Sequence, residues 1–168
     1  GCARDNCDAE PLGFVDNIQP FRHRHIEWQL NEMEPVLLAA RRNDIAGAVV
    51  LYGAIGGREW QGNEIRPTPI EDLIAQVNCP VLGIFGEADH IISIDDVVRF
   101  RNCLEKAKKN CHIRIYAGAP HGWLNDTMPG RFRAEQARET FDRIVSWLRT
   151  TFAADPAGHI GRRCVINY

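Results

Sequence analysis

Asp89 closes the run Pro80-Val-Leu-Gly-Ile-Phe-Gly-Glu-Ala-Asp89, and His121 stands in Ala119-Pro-His-Gly-Trp123. Each follows a short apolar run, so each is expected in the loop beyond a strand. A carboxylate that accepts a hydrogen bond from one imidazole nitrogen fixes the tautomer. The other nitrogen is then free to take a proton from a nucleophile. An acid followed in chain order by a histidine supplies the last two members of a nucleophile–acid–histidine triad. On residue type alone, Asp89 could equally cap a turn and His121 sit in a surface loop.

The first member of such a triad has no counterpart. No G-x-[SC]-x-G occurs, and the two serines, Ser93 and Ser146, both follow Asp89. Cys2 and Cys7 lie far upstream and lack the flanking glycines of a strained strand-to-helix turn. Those glycines let a nucleophile project while backbone N–H groups form an oxyanion hole. The nucleophile is therefore unknown from the sequence.

Three strands are expected to position these groups: Ala46–Tyr52, Val81–Phe85 and His112–Tyr116. The first two are nearly continuous apolar runs, as in parallel strands covered on both faces. The third alternates more, which suits a place near a sheet edge. Helical patterns separate them. Pro69 to Val77 has a proline in its first turn, and Ser93 is the expected N-cap of a helix from Ile94 to Lys109. A helix over Arg131 to Phe152 would bury Phe141, Ile144, Val145 and Leu148. Helical character also runs from Asn31 to Arg42. This alternation implies an α/β domain with a parallel sheet of about three strands flanked by helices. Ligands in such sheets bind beyond the carboxyl ends of the strands, where Gly53, Asp89 and His121 fall.

The chain divides into a poorly defined segment over residues 1–30, a domain over 31–152 and a flexible tail over 153–168. Several functions have little support. A formal charge of -2 gives no reason to expect a nucleic acid or an anionic membrane as partner, and no apolar run approaches a membrane span. The first residues contain no apolar signal core, so the expected location is cytoplasmic. Six cysteines at irregular spacing read as reduced thiols there, with Cys79 and Cys111 as small buried hydrophobes. His23-Arg-His25 lacks further ligands at fixed spacing, so no metal is expected. Gly53-Ala-Ile-Gly-Gly57 is not followed by G-K-[ST], and no cofactor is expected.

Three segments carry a resemblance. They are Leu37-Leu-Ala-Ala-Arg-Arg-Asn-Asp-Ile-Ala-Gly-Ala-Val-Val-Leu-Tyr-Gly53, the loop Gly86-Glu-Ala-Asp-His90, and Gly118-Ala-Pro-His-Gly-Trp-Leu-Asn125 continuing into Met128-Pro-Gly-Arg131. From about Leu37 to Leu148 the chain resembles the C-terminal half of the dienelactone hydrolase (carboxymethylenebutenolidase) family. That resemblance implies a partial α/β-hydrolase fold and a Cys-Asp-His triad that opens esters and lactones without metal or organic cofactor. Asp89 would then orient His121, the general base. Apart from the resemblance, Trp123, two residues after His121, would wall the substrate pocket or pack beneath the loop. Arg58 and Arg131, in or near the expected rim, could each take a substrate carboxylate through a bidentate fork or be surface arginines.

Where the family has its glycine-rich cysteine elbow, this chain has Gln29-Leu-Asn-Glu-Met-Glu-Pro-Val36. The strands before the elbow are missing as well. The expectation is a truncated or rearranged relative whose strand at 46–52 has an open edge, prone to self-association. The alternative function is an inactive hydrolase fragment serving as an interaction or dimerisation module.

Overall fold

The computed structural model describes residues 34–53, 55–57, 59–62, 67–153 and 164–168. In chain order the elements are α1 (Glu34–Arg41), β1 (Ala48–Leu51), α2 (Ile70–Gln76), β2 (Val81–Gly86), α3 (Ile94–Lys106), β3 (Cys111–Tyr116), α4 (Ala134–Ala153) and β4 (Cys164–Asn167). Every residue of β2 is buried, which is what its unbroken apolar run requires. It is an interior strand, parallel to β1 on one side and to β3 on the other.

The sheet has four parallel strands in the order β1-β2-β3-β4. Side chains alternate across it with period two. Ala48, Val50, Val81, Phe85, Ile113 and Ile115 face the core shared with α1, α2 and α3. Leu51, Leu82, Ile84 and Tyr116 join Ile144 and Leu148 of α4 on the other face. The α/β reading of the sequence holds, with helices on both faces of a parallel sheet.

Four details differ from the sequence reading. The fourth strand comes from the segment expected to be a flexible tail: Cys164–Asn167 pairs with Cys111–Arg114. Consequently β3, expected near an edge, has a partner on both sides. Its alternation has another cause. Cys111, Ile113 and Ile115 are buried on the α3 face, while His112 is exposed and Arg114 partly exposed on the α4 face. The pattern reports incomplete cover of one face, not an open edge.

The third correction concerns α4, whose buried residues are Ala137, Thr140, Ile144 and Leu148, whereas Phe141 is 56% exposed. Helical spacing of three and four selects the smaller residues and turns Phe141 outward. The fourth concerns the thiols. Cys111 and Cys164, expected to be reduced, form a disulfide. They lie 53 residues apart in the chain but face each other in the β3–β4 register, so no spacing motif announces them.

Ser93 does cap α3, through a capping box with Asp96: the Asp96 N–H donates to Ser93 Oγ at 3.1 Å. Asp96 also accepts from Trp60 Nε1 at 2.9 Å, and the Arg99 guanidinium lies 4.1 Å over the Trp60 ring. These contacts fasten the segment after β1 to α3. Among the described residues β1 pairs only with β2, and no helix is long and apolar enough to cross a membrane. Cys2, Cys7, His23, His25 and Arg58 lie outside the described residues.

Candidate active site

The carboxyl ends of β1, β2 and β3 converge on one imidazole. After β2 the chain turns through Glu87 and Ala88 and presents Asp89, whose side chain is fully buried. Its Oδ1 accepts from the backbone N–H groups of Ile91 at 2.8 Å and Ile92 at 3.1 Å. Its Oδ2 lies 2.8 Å from His121 Nδ1. Burial alone would push this carboxyl up. The hydrogen bonds from His121, Ile91 and Ile92 together outweigh it and hold Asp89 below the ordinary carboxylate range. A depressed acid contributes stability that is present above its unfolded value and lost as pH falls through its folded value.

An ionised carboxylate can only accept hydrogen bonds, so in the neutral ring Nδ1 of His121 carries the hydrogen and Nε2 the lone pair. Such an imidazole can act as a base at Nε2, with the positive charge it acquires stabilised by the buried acid. The site therefore pairs a buried carboxylate with a partly exposed imidazole.

The histidine loop is laced to the aspartate loop by backbone contacts. Glu87 N–H donates to Tyr116 O at 2.9 Å and Ala88 N–H to Ala119 O at 3.1 Å. Gly118, at φ 62°, donates its N–H to Glu87 Oε2 at 3.0 Å. Gly122, at φ 79°, turns the chain immediately after the imidazole; glycine takes that left-handed conformation without steric cost.

Tyr52, at the end of β1, completes the group. Sequence reasoning placed it only as a strand end. Its ring centroid is 5.0 Å from that of His121 and 4.9 Å from that of Trp123. Its φ of 36° is unusual for a side chain of this size and costs about 1–3 kcal/mol. Its position at the carboxyl end of an apolar strand, next to Gly53, was the one signal available. Burial pushes its hydroxyl up, so it stays protonated.

Trp123, read either as a wall of the substrate pocket or as packing beneath the loop, is fully buried in the core on the α4 face and packs against Tyr52 and Tyr116. Its ring meets that of Tyr52, which in turn meets His121. Arg131 is partly exposed, in a turn closed by its N–H onto Met128 O at 2.9 Å. His90 is exposed, with its ring 6.3 Å from that of His121.

The free thiols and the serines among the described residues have settings of their own. Cys79 precedes β2, at the opposite end of that strand from Asp89, and burial pushes its thiol up to about 12. Burial also raises the Cys103 thiol, on α3. Ser93 Oγ is committed to its helix cap, and Ser146 is exposed on α4. Among the described residues no three His, Cys, Asp or Glu side chains cluster in a way that could hold a metal ion.

An acid after one strand and a histidine after the next is the site expected from the resemblance, and comparison with known proteins decides the family. Residues 35–152 match the dienelactone hydrolase family. The chain belongs to that family. It is 30% identical over 113 residues to a Methylorubrum extorquens protein named "Putative carboxymethylenebutenolidase", covering 67% of this chain and 38% of that protein. Identity to the Escherichia coli K12 protein of the same name is 27%, covering 67% and 40%. The fold matches a crystal structure titled as a "Putative Dienelactone Hydrolase" from Klebsiella pneumoniae, with TM-score 0.62 and 28% identity. That match covers 67% of this chain and 45% of the other. An α/β-hydrolase from a deep-sea metagenome shares the fold at TM-score 0.54 and 14% identity, covering 72% and 52%. The chain thus spans about two-fifths of the length of these curated dienelactone hydrolase relatives. Strand β4 and Cys164 lie outside the matched residues.

Proposed function

We propose that this chain carries the acid and the base of a Cys-Asp-His type hydrolase acting on ester or lactone bonds of small molecules in the cytoplasm. Asp89 orients His121, and His121 accepts the proton of the nucleophile at Nε2 and later returns it to the leaving oxygen. The observation that carries this reading is the 2.8 Å contact between His121 Nδ1 and the buried Asp89 carboxylate, at the carboxyl ends of adjacent parallel strands. The attacking thiol comes from outside the described residues. Tyr52 lines the approach to His121. Arg131 is the candidate to receive a substrate carboxylate through its guanidinium fork. Neither metal nor organic cofactor has a role in this scheme.

The test is hydrolysis of p-nitrophenyl acetate by the full chain beside His121→Ala and a Cys2→Ala/Cys7→Ala double variant. A positioned general base contributes about 10²–10⁴-fold, so His121→Ala should lose at least about tenfold. Loss in the double variant as well would place the thiol in the first residues of the chain. Equal rates in the full chain and His121→Ala would overturn the proposal.

A further inference from the structure

Strand β4 is fastened to the sheet at both of its ends, by unrelated chemistry. At its start, Cys164 is disulfide-bonded to Cys111, its register partner on β3. Just past its end, Arg114 Nη1 donates to Tyr168 O at 2.6 Å, while Nη2 of the same guanidinium reaches Glu139 Oε1 on α4 at 3.3 Å. Between these anchors β4 pairs over only four residues. So short an edge strand is marginal without help. It nevertheless covers the hydrogen-bonding edge of β3, which would otherwise be a template for another strand.

We propose that the Cys111–Cys164 disulfide is a redox latch that holds β4 on the sheet, and that its reduction releases β4 and uncovers the edge of β3. The two sulfurs are not equivalent. Cys111 is fully buried, whereas Cys164 is partly exposed. A thiolate of a dithiol reductant therefore attacks Cys164 Sγ. The protein S–S bond breaks, a mixed disulfide forms on Cys164, and Cys111 leaves as a thiolate that takes up a proton. The second thiol of the reductant then attacks its own sulfur in the mixed disulfide and frees Cys164. Two electrons and two protons pass from the dithiol to the cysteines, and the dithiol ends as a disulfide. In the cytoplasmic setting proposed above, protein disulfides are mostly transient and redox-sensing. The Arg114 contact and the packing of Ile166 on the core then act alone, and they are what lets β4 return on reoxidation.

The experiment is hydrogen exchange by mass spectrometry on the full chain, air-oxidised and then treated with dithiothreitol, with alkylation to report the thiols. A cross-link closing a loop of this length constrains the open chain strongly. Amides of 164–168 and the outer-edge amides of 111–114 should exchange about 10²-fold faster on reduction, while those of β2 stay slow. Cys164→Ser should reproduce this without reductant, and a Cys79→Ser/Cys103→Ser double variant should not. Alkylation of both Cys111 and Cys164 in the oxidised protein would overturn the proposal. So would unchanged exchange at 164–168, or acceleration through β2 as well, which would make the disulfide a staple of the whole sheet.

Discussion

Replacing Gly86 by alanine should separate His121 from Asp89. Gly86 ends β2, and a Cβ there would fall on the Ala119 carbonyl oxygen, with the carbonyl carbon at 2.9 Å and the Ala119 Cβ at 3.3 Å. The obstruction is backbone, which cannot swing aside as a flexible side chain does. Glycine is needed here for close approach, since Gly86 is not among the positive-φ residues. With a methyl group inserted, the loop from Ala117 to His121 must retreat from the end of β2. The Ala88 and Gly118 N–H hydrogen bonds that lace the two loops lengthen with it. The stability cost should be about 1–3 kcal/mol, as for overpacked sites generally. The effect on any His121-dependent turnover should be larger, because a misplacement of about 1 Å costs roughly 10²-fold. Chemical denaturation and ester hydrolysis measured on Gly86→Ala would check both. Wild-type stability together with wild-type turnover would refute the close-packing argument.

Trp123→Ala should be the most destabilising single truncation near the site, by about 3–5 kcal/mol. The indole is fully buried, at ring-centroid distances of 4.9 Å from Tyr52 and 5.9 Å from Tyr116. Its removal leaves a cavity beneath the histidine loop and takes away the surface on which Tyr52 rests. Against a typical total of about 5–15 kcal/mol, such a loss lowers the thermal midpoint by many degrees. Trp123→Phe keeps most of the ring area and gives up only an Nε1 that has no hydrogen-bond partner among the described residues. It should therefore cost much less. If Trp123→Ala instead melted like wild type and changed only substrate affinity, the indole would be a pocket wall after all.

How far the sequence could be read depended on where its signals were local. Asp89 and His121 were legible because each ends an apolar run, and parallel strands covered on both faces leave few positions for polar groups. Ser93 was legible because a cap is a matter of three neighbouring residues. Strand β4 was not. Four residues after a proline- and glycine-containing stretch carry no strand signal of their own, and only the register against β3 recruits them. The same register made the disulfide, which spacing along the chain concealed. Tyr52 escaped notice for a related reason: its ring meets His121 through the pairing of β1 with β2, a relation absent from any local pattern. Phe141 looked like core because it is apolar, yet the helix face is set by what the sheet can accommodate. The family match takes in Asp89 and His121 but ends at residue 152, short of strand β4.

The central claim is that Asp89 holds His121 as a base with its free lone pair on Nε2. Long-range ¹H–¹⁵N NMR of the histidine side chains tests it directly, on the full chain and on Asp89→Asn, at a pH where the imidazole is neutral. The wild-type His121 signal should show Nδ1 bearing the hydrogen and Nε2 bare, and Asp89→Asn should abolish that preference. A His121 ring protonated mainly at Nε2, or one indifferent to Asp89→Asn, would contradict the account.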